Sequence, residues 1–326
     1  MLRSLRTAWR RRTIDRSREA SAQLDGVLGE LRALGHRSTL QEFKESPMVT
    51  RIESERQFYN LGSMIYNNAN DNPEEVQKAL FLWRKAMKMG SVAAKYSVAM
   101  CLKNGVGMKE RDIKTAVKYF SELAEIEHKW GMFGYADALS KGEGTRKDPR
   151  KAFELFLKAA QRNVPPAYLN VANMYLSGTG VAKNEADGVK WLQKAAEMGD
   201  PQAKSVLGEL HMQGRGVPKD VQKAVLLYQQ AAMKGVVTAQ FNLGVLYLTG
   251  EGVPKQDSLQ AEALFRRAAE KGFVMAMVNL AQMYRTGYGD VPKDLELAKK
   301  WLALAAPHDA TAQEFLDEIN ETEADA

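Results

Sequence analysis

The stretch at residues 247–257, which reads YLTGEGVPKQD, contains residue types that could bind a phosphate group. In nucleotide-binding loops, glycine N–H groups surround the phosphates and a lysine contacts them, with the spacing G-x-x-x-x-G-K-[ST]. This stretch lacks that spacing, and it recurs in six copies that lie 36 or 37 residues apart. A phosphate site is needed once per nucleotide, so the copies indicate connections between helices instead. Their first glycines are Gly105, Gly142, Gly178, Gly214, Gly250 and Gly287.

Residues that could act as a nucleophile, a general base or a metal ligand are few and scattered. The chain has four histidines, which lie far apart, and one cysteine, Cys101. No C-x-x-C or H-x-x-x-H spacing of the kind found in metal sites occurs. His211 stands where neighbouring copies carry a tyrosine, which predicts a packing role. We therefore expect a protein that is not an enzyme, without catalytic residues, cofactor or metal. The single cysteine also excludes an internal disulfide and fits a reducing compartment.

The spacing of the copies is typical of stacked helical repeats. In residues 201–236, small and apolar residues recur at helical spacing up to Gly214, which suits the left-handed residue that ends a helix. Pro218 prevents that helix from continuing, and the Asp220 carboxylate suits the N-cap of a second helix, which Gly235 ends. Each repeat is therefore predicted to be a helix-turn-helix unit. The equivalent caps are Asp112, Asp148, Asn184, Asp257 and Asp294.

The whole pattern, A-x-x-x-L-G-x-x-Y-x-x-G-x-G-V-x-x-D-x-x-K-A-x-x-W-x-x-K-A-A-x-x-G, resembles the Sel-one-like repeat family, relatives of tetratricopeptide repeats. VTAQFNLGVLYLTGEGVPKQD and GVKWLQKAAEMGDPQA are similar to it over their whole length. Six clear repeats run from about Ala93 to His308, and FYNLGSMIY begins a degenerate first repeat. In that repeat, Asn72 is predicted to be the N-cap of the second helix and Pro73 its first residue. Glu75 is predicted to complete a capping box with Asn72. The resemblance implies an all-α, right-handed α/α superhelical solenoid of about seven helix-turn-helix repeats with terminal capping helices.

Four segments are predicted along the chain. Residues 1–20 form a basic N-terminal segment, residues 21–57 an N-terminal helical cap, residues 58–308 the repeat solenoid and residues 309–326 an acidic C-terminal capping helix and tail. A terminal repeat has a bare apolar face, which is why caps are expected. The apolar residues predicted to cover these ends are Leu24, Leu28, Leu31 and Leu34 on one side, and Phe315, Leu316 and Ile319 on the other.

The basic segment at residues 1–20 holds seven arginines and no acid before Asp15. On a helix, Leu2, Leu5 and Trp9 share one face, and arginines share the adjacent one. This amphipathic, acid-poor profile is that of a mitochondrial targeting segment, although a disordered basic tail or a nucleic-acid arm has the same composition. We predict a mitochondrial location, with the cytoplasm as the alternative. No run approaches 18 apolar residues, so no membrane span is expected.

A binding groove is implied by the resemblance, since the first helices of tetratricopeptide-like arrays line the concave side. Residues near the core leucine of each first helix would face this groove. Aromatic and methionine side chains there suit an amphipathic helix or an extended segment of another protein. The predicted function is a non-catalytic adaptor or scaffold that binds a peptide or subunit, and the predicted mitochondrial location would place it in a mitochondrial assembly. The predicted groove residues are Tyr96, Met100, Phe133, Leu169, Asn173, Leu176, Glu209, Met212, Phe241, Val245, Leu248, Gln282 and Arg285.

A series of lysines, one per repeat just before a helix cap, permits a different partner. Stacked repeats would align them as a basic edge, which suits an acidic partner or RNA in a ribonucleoprotein complex. The simpler interpretation is that they are solvated loop lysines that aid solubility. An RNA-associated structural protein is therefore the alternative function. The residues of this edge are Lys147, Lys183, Lys219, Lys255 and Lys293.

Overall fold

The computed structural model describes residues 39–69 and 72–324, and every regular element in those ranges is a helix. The chain divides into two compact units, one that ends at Arg162 and one that begins at Asn163. The predicted targeting segment at residues 1–20 and the predicted leucine-rich helix around residues 24–34 lie outside the described residues. Within the described ranges, the prediction of an all-α chain of helix-turn-helix repeats is confirmed.

Among the described residues, the first unit has two short helices followed by three helix pairs. In each pair the first helix packs against the second, and the second packs against the first helix of the next pair in the unit. The short helices are α1 (Leu40–Glu45) and α2 (Pro47–Thr50). The pairs are α3 (Glu55–Asn68) with α4 (Pro73–Lys88), α5 (Val92–Asn104) with α6 (Ile113–Glu125), and α7 (Lys129–Lys141) with α8 (Pro149–Gln161).

The second unit contains four further helix pairs and a final helix, packed in the same order. The pairs are α9 (Pro165–Ser177) with α10 (Glu185–Glu197), α11 (Pro201–Gln213) with α12 (Val221–Met233), α13 (Val237–Thr249) with α14 (Ser258–Ala269), and α15 (Val274–Thr286) with α16 (Leu295–Ala305). The final helix is α17 (Ala310–Ala324), which packs against α16.

The turn inside each repeat forms through the residues that the sequence predicted. Gly214 adopts a left-handed conformation with φ 68°, which ends α11, and its N–H donates to the Leu210 carbonyl. The Asp220 carboxylate then accepts a hydrogen bond of 2.9 Å from the Lys223 N–H, which caps α12. The other five predicted caps make the equivalent bond, at 2.9–3.1 Å. These caps satisfy N–H groups that a helix start leaves free, each worth about 1 kcal/mol.

Within each unit, the second glycine of a turn has a different reason, which is contact with the preceding repeat of that unit. At Gly216, an added Cβ would lie 3.1 Å from the Glu185 carbonyl oxygen and 3.1 Å from Val189 Cγ2. The turn therefore lies directly on the start of α10, one repeat earlier. Gly216 also has φ 68°, so a side chain there would be strained as well as crowded. The G-x-G spacing thus joins neighbouring repeats.

Small residues let the two helices of a repeat approach closely. An added Cβ at Gly208 would lie 2.9 Å from Tyr228 Cε1, and one at Gly244 would lie 2.8 Å from Phe265 Cε1. A mid-helix glycine costs about 0.5–1 kcal/mol relative to alanine, and the buried rings offset this cost. In the second helices, the first alanine of each pair is fully buried, as at Ala231, whereas Ala196, the second of its pair, is only half-buried.

The degenerate first repeat differs from the prediction in one detail. Asn72 caps α4 as expected, and Pro73 is the first helical residue. The Glu75 carboxylate accepts a hydrogen bond of 2.7 Å from Lys78 Nζ instead of completing the predicted capping box at Asn72. This buried ion pair lies beside Phe43 of α1, with Lys78 Nζ 5.8 Å from the centre of its ring. The pair therefore connects α4 to the short helices that precede the repeats.

The ends of the described chain are covered by apolar side chains. At the start, Phe43 and Val49 are buried in the core of the first unit. At the end, Ala312 and Ile319 of α17 are buried, with Phe315 and Leu316 half-buried beside them. Both short helices and α17 thus remove from water apolar surface that a terminal helix pair would otherwise expose.

Candidate functional site

The thirteen predicted groove residues all lie on first helices of the repeats, and none of them is buried. Asn173 and Glu209 are exposed, and the other eleven are half-buried. The reason is geometric: an α-helix turns about 100° per residue, so positions two before, two after or five after a core residue lie about 140–160° from it. We call these thirteen residues the first-helix face.

In the first unit, this face is aromatic. The Tyr96 ring lies 6.1 Å from that of Phe120 and 6.4 Å from that of Trp130, measured between ring centres. Phe133 lies 5.5 Å from Phe156 and 6.1 Å from Trp130. Partial burial raises the pKa of Tyr96. These rings therefore hold adjacent repeats together while part of their surface stays in contact with solvent.

Trp130 is a member of this cluster that the sequence reasoning missed. It is half-buried near the start of α7, three residues before Phe133, so it lies on the same side of the helix. The signal was available as an aromatic pair at i and i+3. It was missed because the pattern was anchored on the core residue of each repeat rather than on the helix face.

An ion cluster follows the aromatic cluster in the first unit. Asp137 on α7 accepts hydrogen bonds from Lys103 on α5 and, at 2.8 Å, from Lys141. Burial alone would raise the pKa of Asp137, but the hydrogen bonds from the two lysines outweigh it and lower the pKa. Lys103 and Asp137 hold positions equivalent to face residues of other repeats, so the ion pair also belongs to this surface.

In the second unit, α13 carries the most apolar part of the face. Phe241 lies 5.6 Å from Phe265 and 5.2 Å from Phe273, between ring centres, so its ring contacts the next repeat. Val245 and Leu248 are half-buried on the same helix. The Phe241 ring therefore contributes mainly to packing between helices. Val245 has no aromatic contact of this kind and offers apolar surface for binding.

The polar members of the face differ in what they contact. Arg285 donates to Glu318 of α17 at 2.6 Å, and its guanidinium lies 4.6 Å from the centre of the Phe315 ring. Arg285 is therefore used to hold the final helix. The Glu209 carboxylate accepts a hydrogen bond of 3.0 Å from the Gln213 side chain on the same helix. Glu209 nevertheless remains exposed to solvent.

The lysine series is exposed throughout, and its positions have a packing reason. An added Cβ on Gly142 would lie 3.3 Å from Lys147 Cβ, and the same contact measures 3.2–3.4 Å for Lys183, Lys219 and Lys293. The lysine stem therefore packs across the left-handed glycine. In addition, Lys183 Nζ lies 3.0 Å from a Glu185 carboxylate oxygen, and Lys219 Nζ lies 3.9 Å from one of Glu251. The basic edge is thus partly neutralised by the chain itself.

Lys255 does not hold the position of the other four lysines. In the loop after α13, the residue directly before the cap Asp257 is Gln256, and its side chain packs across Gly250 in place of a lysine. Gln256 Nε2 also donates to the Tyr288 hydroxyl at 3.1 Å. The equivalent residue in the loop after α5 is Arg111, which the sequence reasoning missed. The basic edge therefore loses one predicted member in the second unit.

Groups with potential reactivity have structural roles in the described part of the chain. Cys101 is buried, and burial raises the pKa of its thiol to about 11, so the thiol stays protonated near neutral pH. His211 is buried, with Nδ1 3.2 Å from the Pro218 carbonyl oxygen. His128 caps α7 by accepting from the Gly131 N–H, and burial lowers its pKa. Among residues 39–69 and 72–324, no group of three or more His, Cys, Asp or Glu could hold a metal ion.

None of the helices described here is both long and apolar enough to cross a membrane.

Comparison with known proteins supports the repeat boundaries. The Sel1 repeat family matches seven consecutive segments, including the degenerate first one. The matched segments are residues 59–91, 92–128, 131–164, 165–200, 201–236, 237–273 and 274–306. No curated protein matches the sequence significantly.

Two solved structures share the fold. A Sel1 repeat protein from Oxalobacter formigenes is 31% identical with a TM-score of 0.68, and the match covers 77% of this chain and 100% of that one. A protective antigen present in uropathogenic Escherichia coli strains, which displays an SLR fold, is 30% identical with a TM-score of 0.67. That match covers 81% of this chain and 56% of the E. coli protein, so the chain spans little more than half of its length. The protein therefore belongs to the Sel1 repeat family, as its glycines and caps predicted.

Proposed function

We propose that the protein is a non-catalytic adaptor that binds a segment of another protein on its first-helix face. The observation that carries this proposal is that apolar side chains of the face, above all Val245 and Leu248, are supported by packing yet remain half-exposed. Such side chains provide apolar contact area whose position is already fixed, so little conformational entropy is lost on binding. An amphipathic helix or an extended peptide supplies the complementary apolar residues.

The polar residues of the same face supply selectivity. Asn173 and Glu209 are exposed on α9 and α11, where they can donate to or accept from a bound main chain or side chain. The mitochondrial assembly is part of this proposal and depends on the arginine-rich residues 1–20. The RNA alternative gains no further support, because Lys183 and Lys219 are paired with carboxylates and Gln256 replaces one predicted lysine position.

A crosslinking experiment tests the proposal. A photoreactive amino acid is placed in the full chain at Val245 or Asn173 on the face, and, as matched controls, at Leu226 or Leu259 on second helices. The two leucines are 58% and 53% exposed, so the controls are accessible. We expect the same partner to be crosslinked from both face positions and from neither control position.

The partner identified in this way is then purified for a binding measurement. Val245→Glu places a charge within the proposed contact and should raise the dissociation constant at least about tenfold, which corresponds to the loss of one apolar anchor. Leu226→Glu should leave it unchanged. Crosslinks of equal yield from all four positions, or equal binding by both glutamate variants, would show that the first-helix face is not the contact.

A further inference from the structure

A solvent-open cavity of about 430 Å³ lies in the first unit, between α7 and the loop that leads into α8. Its wall includes Tyr135 and Leu139 from α7, and three cations, Arg146, Lys147 and Lys151, from the loop and the start of α8. None of these residues belongs to the first-helix face. The volume falls within the range of about 300–1,000 Å³ that small-ligand sites occupy, so it can admit more than one carboxylate group.

The cavity lies where this repeat carries a leucine instead of the tyrosine that most repeats of the second unit have. Leu139 stands three residues before the left-handed glycine, and Thr145 stands three residues after it. In the loop after α5, which also has a leucine before its glycine, Val106 and Met108 pack against the core instead. At the first position, three repeats of the second unit carry a larger ring, namely Tyr175, Tyr247 and Tyr284, and one carries His211.

The cavity carries a net positive charge, because three cations and one carboxylate, that of Asp148, line it. Arg146, Lys147 and Lys151 are all exposed, and within the described residues no ion pair joins any of them to a carboxylate. Lys151 Nζ lies 5.1 Å from the centre of the Tyr135 ring, which holds its ammonium at the cavity wall. At the corresponding loop position of two other repeats, Lys183 and Lys219 are paired with glutamates.

Two acidic residues, Asp148 and Glu143, belong to the same loop. The Asp148 carboxylate lines the cavity but accepts from the Lys151 N–H at 3.0 Å, since it caps α8. Pro149 follows it and has no N–H to offer, so the cavity does not depend on the helix start. Glu143, the other acid of the loop, does not line the cavity. An incoming carboxylate would therefore meet three side-chain cations and the single carboxylate of Asp148.

We propose that this cavity binds aspartate or glutamate side chains of the polypeptide partner, as a second contact beside the first-helix face. This inference rests on the proposed function. An arginine fork flanked by two ammonium groups matches carboxylate oxygens. A polypeptide is favoured over RNA because the one aromatic ring of the wall, Tyr135, already lies under Lys151 and offers no free stacking surface for a base.

The test measures fluorescence anisotropy of labelled hexaglutamate with the full chain at low ionic strength. We expect saturable binding by the wild type. The double variant Arg146→Gln with Lys151→Gln should raise the dissociation constant about tenfold, as expected for the loss of two exposed ion pairs. The matched control, Lys183→Gln with Lys219→Gln, removes two lysines that the chain itself neutralises and should change it less than about twofold.

A second variant separates the cavity from its charge. Leu139→Tyr introduces the ring that the second unit carries at this position, fills the cavity and keeps all three cations. It should weaken hexaglutamate binding as well. Far-UV circular dichroism and urea midpoints show whether each variant is folded. If Leu139→Tyr is not folded, the test depends on the double variant Arg146→Gln with Lys151→Gln.

Several results would overturn the proposal. They are the absence of saturable hexaglutamate binding, equal affinity for hexaglutamine, or equal losses in the cavity variants and the control pair. Tighter binding of hexauridylate that is lost in the cavity variants would assign the cavity to nucleic acid. With the crosslinked partner, loss of binding in Val245→Glu but not in the cavity variants would leave the first-helix face intact and refute only the cavity.

Discussion

Replacing Gly131 with alanine tests how closely α7 packs against α6. An added Cβ at Gly131 would lie 2.3 Å from Leu123 Cβ, and 3.1 and 3.2 Å from the carbonyl carbon and Cα of Leu123. Carbon atoms in contact normally lie about 3.5–4.0 Å apart. Because Leu123 is fully buried and two of the three atoms are backbone, rotation of a side chain cannot relieve the overlap. The two helices would have to separate.

The expected magnitude follows from two opposing effects. Alanine is favoured over glycine inside a helix by about 1 kcal/mol. Overpacking of a close-packed core costs about 1–3 kcal/mol, and contact with backbone atoms places this site at the upper end. Moving α7 would also strain the hydrogen bond of 3.1 Å from the Gly131 N–H to His128 Nδ1. We therefore expect Gly131→Ala to lower the free energy of unfolding by about 1–2 kcal/mol.

Urea denaturation followed by far-UV circular dichroism measures this change, and Gly188→Ala is the matched control. An added Cβ at Gly188 would lie 2.8 Å from Leu176 Cδ2 and Cγ, which belong to a half-buried side chain that can rotate away. Gly188→Ala should therefore be neutral or stabilising by up to about 1 kcal/mol. A Gly131→Ala variant as stable as the wild type would refute the close contact between α6 and α7.

Three further outcomes are expected. Asp220→Ala removes the cap of α12 and should lower the urea midpoint by an amount equivalent to about 1 kcal/mol, whereas Asp220→Asn should restore it because asparagine accepts the same bond. Burial raises the pKa of Cys101 from 9.0 to about 11, so between these pH values the folded chain keeps a proton that the unfolded chain loses. The free energy of unfolding should therefore fall from pH 9 to pH 11 by more in the wild type than in Cys101→Ala, as measured by urea midpoints. Phe315→Ala removes the ring that contacts Arg285 and should lower the free energy of unfolding by about 1–2 kcal/mol. Amide hydrogen exchange should become faster in α17 while α13 stays protected, and equal acceleration in both helices would contradict a local role.

The helix boundaries could be predicted because they depend on local chemistry. Gly214 and Asp220 each act within a few residues of their own position, one through its freedom to adopt positive φ and the other through a carboxylate that reaches the third N–H of the helix. The same reasoning located the degenerate first repeat through Asn72 and Pro73. The capping box expected at Glu75 was wrong because Lys78, a partner on the same helix, takes its carboxylate.

The candidate site was only partly predictable. The choice of first helices came from the resemblance to tetratricopeptide-like arrays, and helical spacing then placed all thirteen face residues away from the buried side of their helices. Which of them are free to bind depends on residues from other helices. Arg285 is held by Glu318, which lies 33 residues further along the chain, and the Phe241 ring contacts that of Phe273 at the start of the next helix pair. A short sequence pattern cannot predict such contacts between residues far apart in the chain.

The sequence by itself determined the repeat, its two helices, its caps and its family, because each follows from residue types at fixed spacing along one chain segment. Only the tertiary structure decided that Gln256 replaces Lys255 across Gly250, that Trp130 joins the aromatic cluster, and that three cations without an ion pair in the described chain line one cavity. The physical reason is that ion pairing, burial and cavities depend on which side chains of neighbouring helices meet.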